Sequence, residues 1–239
     1  MNIRICTPVV GKTKEEFLSN LKKTQELSDL IELRVDYLGG VTPEAIREIR
    51  QQTIKPAIFT CRSADEGGKF TGIEQQRIEL LQSAIGMFEH VDIELPTMQE
   101  HSFHRNEKTK IIISYHNFDE TPSYWDMQKI VYDMNELKPD ILKIATMVVK
   151  DYEVTKLYRL LTNKPHTEDR IVVGMGQQGR MTRVLGPLLG GYLTYASTEY
   201  GESAPGQIDI KELQTIYNTL DYNQASLNTI FVGSDETFF

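Results

Sequence analysis

Asp140-Ile141-Leu142-Lys143-Ile144-Ala145-Thr146-Met147 reads as a buried β-strand with a single lysine at its centre. A free ammonium has a pKa near 10.4, so about one side chain in a few thousand is the nucleophilic amine at neutral pH. Desolvation or a neighbouring cation lowers that pKa, each unit adding roughly 1.4 kcal/mol of bias towards the neutral form. A strand lysine aimed into an apolar pocket is therefore a candidate for imine chemistry with a carbonyl substrate. The plainer alternative is a lysine whose stem packs on the strand while its head reaches water.

Working outward from this strand, short β-branched runs alternate with longer amphipathic segments along almost the whole chain, the signature of repeated βα units. Eight strands are expected: Ile3 to Val10, Leu30 to Tyr37, Pro56 to Arg62, His90 to Leu95, Lys110 to His116, Ile141 to Met147, Arg170 to Met175 and Tyr192 to Ala196. Helical patterns lie between them. Phe17, Leu18, Leu21 and Leu27 share a face over Thr13 to Leu27, and Ile78, Leu81 and Ile85 do so over Ile73 to Met87. Thr42-Pro43-Glu44 marks a helix start with proline in the first helical position. Asp151 to Leu161 and Lys211 to Leu220 complete the set. Eight strands with helical crossovers in about 220 residues fit an α/β fold of the closed (β/α)8 (TIM) barrel kind, a single domain over residues 1–220, better than an open doubly wound sheet. No Gly-x-Gly-x-x-Gly turn follows the first strand, and Gly174-Met175-Gly176-Gln177-Gln178-Gly179 falls at the seventh, where it reads as a substrate loop. Residues 221–239 form a C-terminal tail to which no role is assigned.

A length of 239 residues suits one such barrel. The chain holds no run of about 18 apolar residues, and Met1-Asn2-Ile3-Arg4-Ile5 enters a strand pattern without a signal-peptide profile, so a cytoplasmic protein is expected. Cys6 and Cys61 lie in apolar strand-like runs without metal-ligand spacing and read as buried free thiols. A net charge of −8 argues against nucleic acid or an anionic membrane as partner. An anionic small molecule would need arginines gathered at its pocket.

In a barrel the catalytic groups belong at the C-terminal ends of the strands. Glu32 and Arg34 share one side of the second strand, Arg62 ends the third, Glu94 the fourth and His116 the fifth, while Lys143 lies on the sixth and Arg183 follows the seventh. Taken singly, each has a structural explanation, such as a core ion pair or a hydrogen-bonded interior imidazole. Together, a lysine, a histidine and a carboxylate aimed into one mouth supply an imine-forming amine, a general acid/base and the group that orients it.

From Ile3 to Leu220 the chain resembles the type I 3-dehydroquinate dehydratases of the shikimate pathway. The matching pieces are Glu32-Leu33-Arg34-Val35-Asp36, Thr60-Cys61-Arg62 followed by Glu66-Gly67-Gly68, Asp92-Ile93-Glu94, Ser114-Tyr115-His116-Asn117-Phe118, Lys143-Ile144-Ala145, Thr182-Arg183, Leu193-Thr194-Tyr195 and Ser203-Ala204-Pro205-Gly206-Gln207-Ile208. Two departures are a threonine, Thr182, where serine is common, and the Gly174–Gln178 loop. The resemblance implies a (β/α)8 barrel, commonly a homodimer, with no metal and no organic cofactor. It places the Schiff-base lysine at Lys143, the acid/base histidine at His116 and the carboxylate supporting that histidine at Glu94. It places substrate-binding positions at Glu32, Arg34, Arg62, Arg183, Ser203 and Gln207, with Arg183 the first choice for the carboxylate of 3-dehydroquinate. The Glu66–Phe70 stretch and the loop carrying Ser203 and Gln207 are expected to close over the ligand. Two alternatives stand beside this reading. A class I aldolase on the same barrel would bind a phosphate near strands seven and eight, and a non-catalytic barrel would bind a metabolite without using its lysine.

Overall fold

The computed structural model describes residues 3–219. Nine strands form one sheet: β1 (Ile5–Val9), β2 (Leu30–Arg34), β3 (Ala57–Thr60), β4 (His90–Glu94), β5 (Lys110–Asn117), β6 (Ile141–Met147), β7 (Asp169–Met175), β8 (Thr194–Ser197) and β9 (Ile208–Asp209). The helices are α1 (Lys14–Leu27), α2 (Pro43–Gln52), α3 (Glu74–Ala84), α4 (Leu95–Glu100), α5 (Tyr124–Glu136), α6 (Val154–Thr162), α7 (Gly176–Gly179), α8 (Met181–Leu188) and α9 (Ile210–Thr219). All pairings between strands are parallel, in the order β7-β6-β5-β4-β3-β2-β1-β8-β9. All eight expected strands form, and the sheet curls into the expected (β/α)8 barrel. Its seam falls between β7 and β8, which share no ladder. There a single bond from the Tyr192 amide to the Arg170 carbonyl (2.8 Å) crosses at the foot, and one from Gly176 to Pro205 (3.1 Å) crosses at the mouth. The short β9, absent from the sequence reading, pairs instead with β8.

Local chemistry explains the element starts. Thr13, Thr42 and Ser123 each accept a backbone amide at the N-terminus of α1, α2 and α5, and Pro43 opens α2 where no amide is needed. Alternation along each strand divides the core. Ile31, Leu33, Phe59, Val91, Ile111 and Ile113 pack outward against helices, whereas Cys6, Leu30, Ile58, Ile112, Ile141 and Ile171 fill the interior. The same alternation sends Glu32, Thr60, Asp92, Ser114 and Lys143 inward, one level nearer the mouth. Apolar residues therefore seal the foot and a polar layer lies above them. Segment 221–239 lies outside the described residues.

Candidate active site

Ladder register sets Ser114 beside Lys143 and Thr60 beside Asp92. Lys143 Nζ lies 2.7 Å from Asp92 Oδ2 and 3.5 Å from Glu32 Oε1, and 4.7 Å from the centre of the Tyr195 ring. Arg62 contacts Asp92 Oδ1 (2.7 Å), Glu94 Oε1 (3.1 Å) and the Ser114 hydroxyl (2.7 Å), which itself donates to Asp92 (2.6 Å). Burial alone would push the Asp92 carboxyl up, but Arg62 and Lys143 outweigh it and hold it well below the usual carboxylate range. The expected apolar setting of the lysine is thus corrected. Its head meets two carboxylates and an aromatic face.

His116 is the penultimate residue of β5 and lines the cleft. Its supporting carboxylate is not the expected Glu94 but Glu66, whose Oε2 lies 2.7 Å from His116 Nδ1 and also accepts the His116 amide (3.1 Å). Glu94 is already committed: Oε1 takes Arg62 and the Ser63 amide (3.0 Å), and Oε2 takes Arg77 (2.7 Å). Glu66 reaches the imidazole because a short 3-10 turn, Ala64–Glu66, closes at Gly67 with φ +77°, and a β-carbon there would strike the Phe118 ring at 2.5 Å. Burial pushes the Glu66 carboxyl up to about 8, with Glu94 and Asp92 adding to the rise against the pull of Arg62. Burial, with Arg62 and Lys143, drives the imidazole well below its ordinary value. Nδ1 being engaged, Nε2 is left for the cleft.

Arg34 makes a two-pronged ion pair with Asp36, both bonds 2.8 Å. Arg183, on α8 rather than in a loop, differs from every other buried arginine among the described residues: it has no carboxylate partner. It donates only to the carbonyls of Gly206 (3.0 Å) and Pro205 (3.3 Å), and burial lowers its pKa to about 10. That loop is held by Gly206 at φ +79°, where a β-carbon would lie 2.5 Å from the Gly176 carbonyl oxygen. Ser203 and Gln207 clasp each other across it, the Ser203 amide donating to Gln207 Oε1 at 3.0 Å.

One cleft at the C-terminal ends of the strands brings together Glu32, Arg34, Arg62, His116, Lys143, Arg183, Ser203 and Gln207, eight of the nine residues singled out from the sequence. Glu94 stands behind it. Sequence reasoning quoted Glu66, Asp92 and Asp36 within matching segments without giving them contacts, because partner choice depends on loop path and side-chain direction. The signal for Glu66 was its place beside two glycines, four residues after a strand-end arginine.

A strand amine, a paired imidazole and an uncompensated guanidinium in one mouth define a barrel enzyme equipped for a carbonyl-bearing anion. The family model for type I 3-dehydroquinase matches residues 5–224. A 3-dehydroquinate dehydratase of Coxiella burnetii is 46% identical over 215 residues, which cover 90% of this chain and 92% of that one. The crystal structure of 3-dehydroquinate dehydratase from Geobacillus kaustophilus superposes with a TM-score of 0.83 at 26% identity over 93% of each chain. That of the type I enzyme from Clostridium difficile, with covalently modified comenic acid, does so with a TM-score of 0.81 at 27% identity over 92% of this chain and 94% of that one. The chain belongs to the type I 3-dehydroquinase family.

Proposed function

We propose that this barrel, a hydro-lyase of the type I 3-dehydroquinase family, dehydrates 3-dehydroquinate through an imine on Lys143. The observation that carries the reading is the lysine amine on β6 in the same cleft as His116 and an unpaired Arg183. The neutral Lys143 amine attacks the ketone, and a proton taken up from solvent lets the carbinolamine hydroxyl leave as water. The resulting protonated imine acts as an electron sink and returns that proton on final hydrolysis. His116 Nε2 takes the adjacent C–H proton to give an enamine, then returns a proton to the departing hydroxyl, so each step restores the protonation the other needs. Water then hydrolyses the conjugated imine to 3-dehydroshikimate and free amine.

Glu66 orients the imidazole through Nδ1, and Arg183 receives the substrate carboxylate. Glu32, Arg34, Arg62, Ser203 and Gln207 bind the remainder of the ring. No metal or organic cofactor enters these steps. Arg183 offers a planar guanidinium fork to a carboxylate, and with Ser203 and Gln207 beside it the cleft suits a carboxylate and hydroxyls better than an aldolase's phosphate. Borohydride reduction in the presence of 3-dehydroquinate should add a product-sized mass to Lys143. A folded sample with no added mass would leave a metabolite-binding barrel as the better reading.

The working unit is a cytoplasmic homodimer. Trp125 and Tyr132, 76% and 63% exposed and seven residues apart on α5, give the apolar face such a seam uses. Among the described residues no helix is long and apolar enough to cross a membrane. Light scattering that returns a monomer mass would remove the dimer.

A further inference from the structure

Arg77 lies outside the cleft, yet it is 1% exposed and fully hydrogen-bonded. From α3 its guanidinium reaches Glu74 (2.8 and 2.5 Å), the Cys61 carbonyl (2.9 Å), Glu94 Oε2 (2.7 Å) and the Thr97 hydroxyl (2.6 Å). It therefore joins the end of β3, the end of β4 and the start of α4 to one helix. Its one contact with the active-site charges is Glu94, and Glu94 has two further tasks. Glu94 Oε1 holds Arg62, which in turn holds Asp92 and Ser114 beside Lys143. The same oxygen accepts the amide of Ser63, the residue that leads into the turn carrying Glu66 to His116.

We infer that Arg77 is a positioning residue for the reaction: by fixing Glu94 it holds in place both the Arg62–Asp92 pair beside Lys143 and the turn that presents Glu66 to His116. The inference rests on the imine reading of the site.

The charges facing the Glu66–His116 pair are Arg34 from β2, Arg62 just after β3, Asp92 and Glu94 from β4, and Lys143 from β6. Arg77 neutralises Glu94 from behind. Without it Glu94 keeps only Arg62 and the Ser63 amide, so more of its negative charge reaches the pair and favours retention of the pair's proton. The rising limb of kcat against pH should then move to higher pH.

The test uses Arg77→Gln and the milder Arg77→Lys, with full pH profiles of kcat and KM, thermal unfolding, and borohydride trapping of wild type and variants. Arg77→Gln should move the limb upward by about half a pH unit or more, lower kcat with little change in KM, and still trap an adduct on Lys143. Arg77→Lys, which keeps the charge, should return the limb most of the way. A lowered unfolding temperature with an unmoved limb in both variants would reduce Arg77 to a structural brace. A limb that moves to lower pH would overturn the inference as well. A folded wild type that traps no adduct would overturn the imine reading, and this inference with it.

Discussion

The two halves of the cleft treat charge in opposite ways. Strands β2 to β6 carry Arg34, Arg62 and Lys143, each against carboxylates at hydrogen-bonding distance. The β7–β8 half carries Arg183 against two backbone carbonyls and no carboxylate. A buried charge pair with good geometry offsets its own desolvation, whereas an unpaired buried cation does not. The first half is thus complete without ligand, and its charges hold catalytic atoms in place. The second is incomplete, and an arriving carboxylate supplies what it lacks.

The largest effect should come from the middle of the compensated half. Lys143→Ala removes the only group proposed to bond to substrate, so turnover should fall to near background and no adduct should form. Asp92 keeps Arg62 and Ser114, so the variant should fold normally. Substantial residual turnover would show that the lysine is not the electron-sink anchor. His116→Ala should lower kcat by about 10²–10⁴-fold, the range for loss of a general acid/base, while adduct on Lys143 still forms. Wild-type turnover in that variant would remove the histidine from proton transfer.

Paired arginine changes test the comparison itself. Arg62→Met leaves Asp92 and Glu94 short of a buried partner and should destabilise the fold by about 3–5 kcal/mol. Arg183→Met removes a buried charge that lacks a contacting counter-ion, Glu202 acting on it only from beyond ion-pairing distance, so unfolding stability should hold or rise. Its kcat/KM should fall about a hundredfold, mainly through KM, from losing one side of a buried ligand ion pair. Equal destabilisation by the two changes, from denaturant midpoints, would erase the distinction between the halves.

The sequence showed the strands more clearly than the contacts between them. Alternation and β-branching sufficed for all eight barrel strands because each is a local run, and Lys143 stood out because a single charge interrupts one of them. Which carboxylate meets His116 is different in kind. Glu94 lies on a strand and was the obvious neighbour, but Arg62, Arg77 and the Ser63 amide occupy it. Glu66 sits on a turn whose path depends on Gly67 and on the Phe118 ring, contacts that join residues about fifty positions apart. The β7–β8 seam was hidden for the same reason. It depends on α8 and on the Pro205–Gly176 contact rather than on the strand pattern.

The smallest change should be the most diagnostic of the compensated half. For Nε2 to accept a proton, Nδ1 must carry one and donate it to an ionised Glu66. With the Glu66 carboxyl raised to about 8, the ligand-free pair keeps an extra proton below that pH and loses it above. kcat/KM should therefore rise with pH through an apparent value near 8. Glu66→Gln keeps an oxygen to accept the Nδ1 proton but has no proton to lose, so this limb should vanish or move to lower pH, towards the depressed value of His116 itself. The maximal rate should fall by less than the loss seen on removing the imidazole, because the base remains and only its orientation and tuning suffer. A limb that stays near 8 in Glu66→Gln would assign it to another group, and the buried pair would then be scaffolding for the strand end rather than the proton store of the reaction.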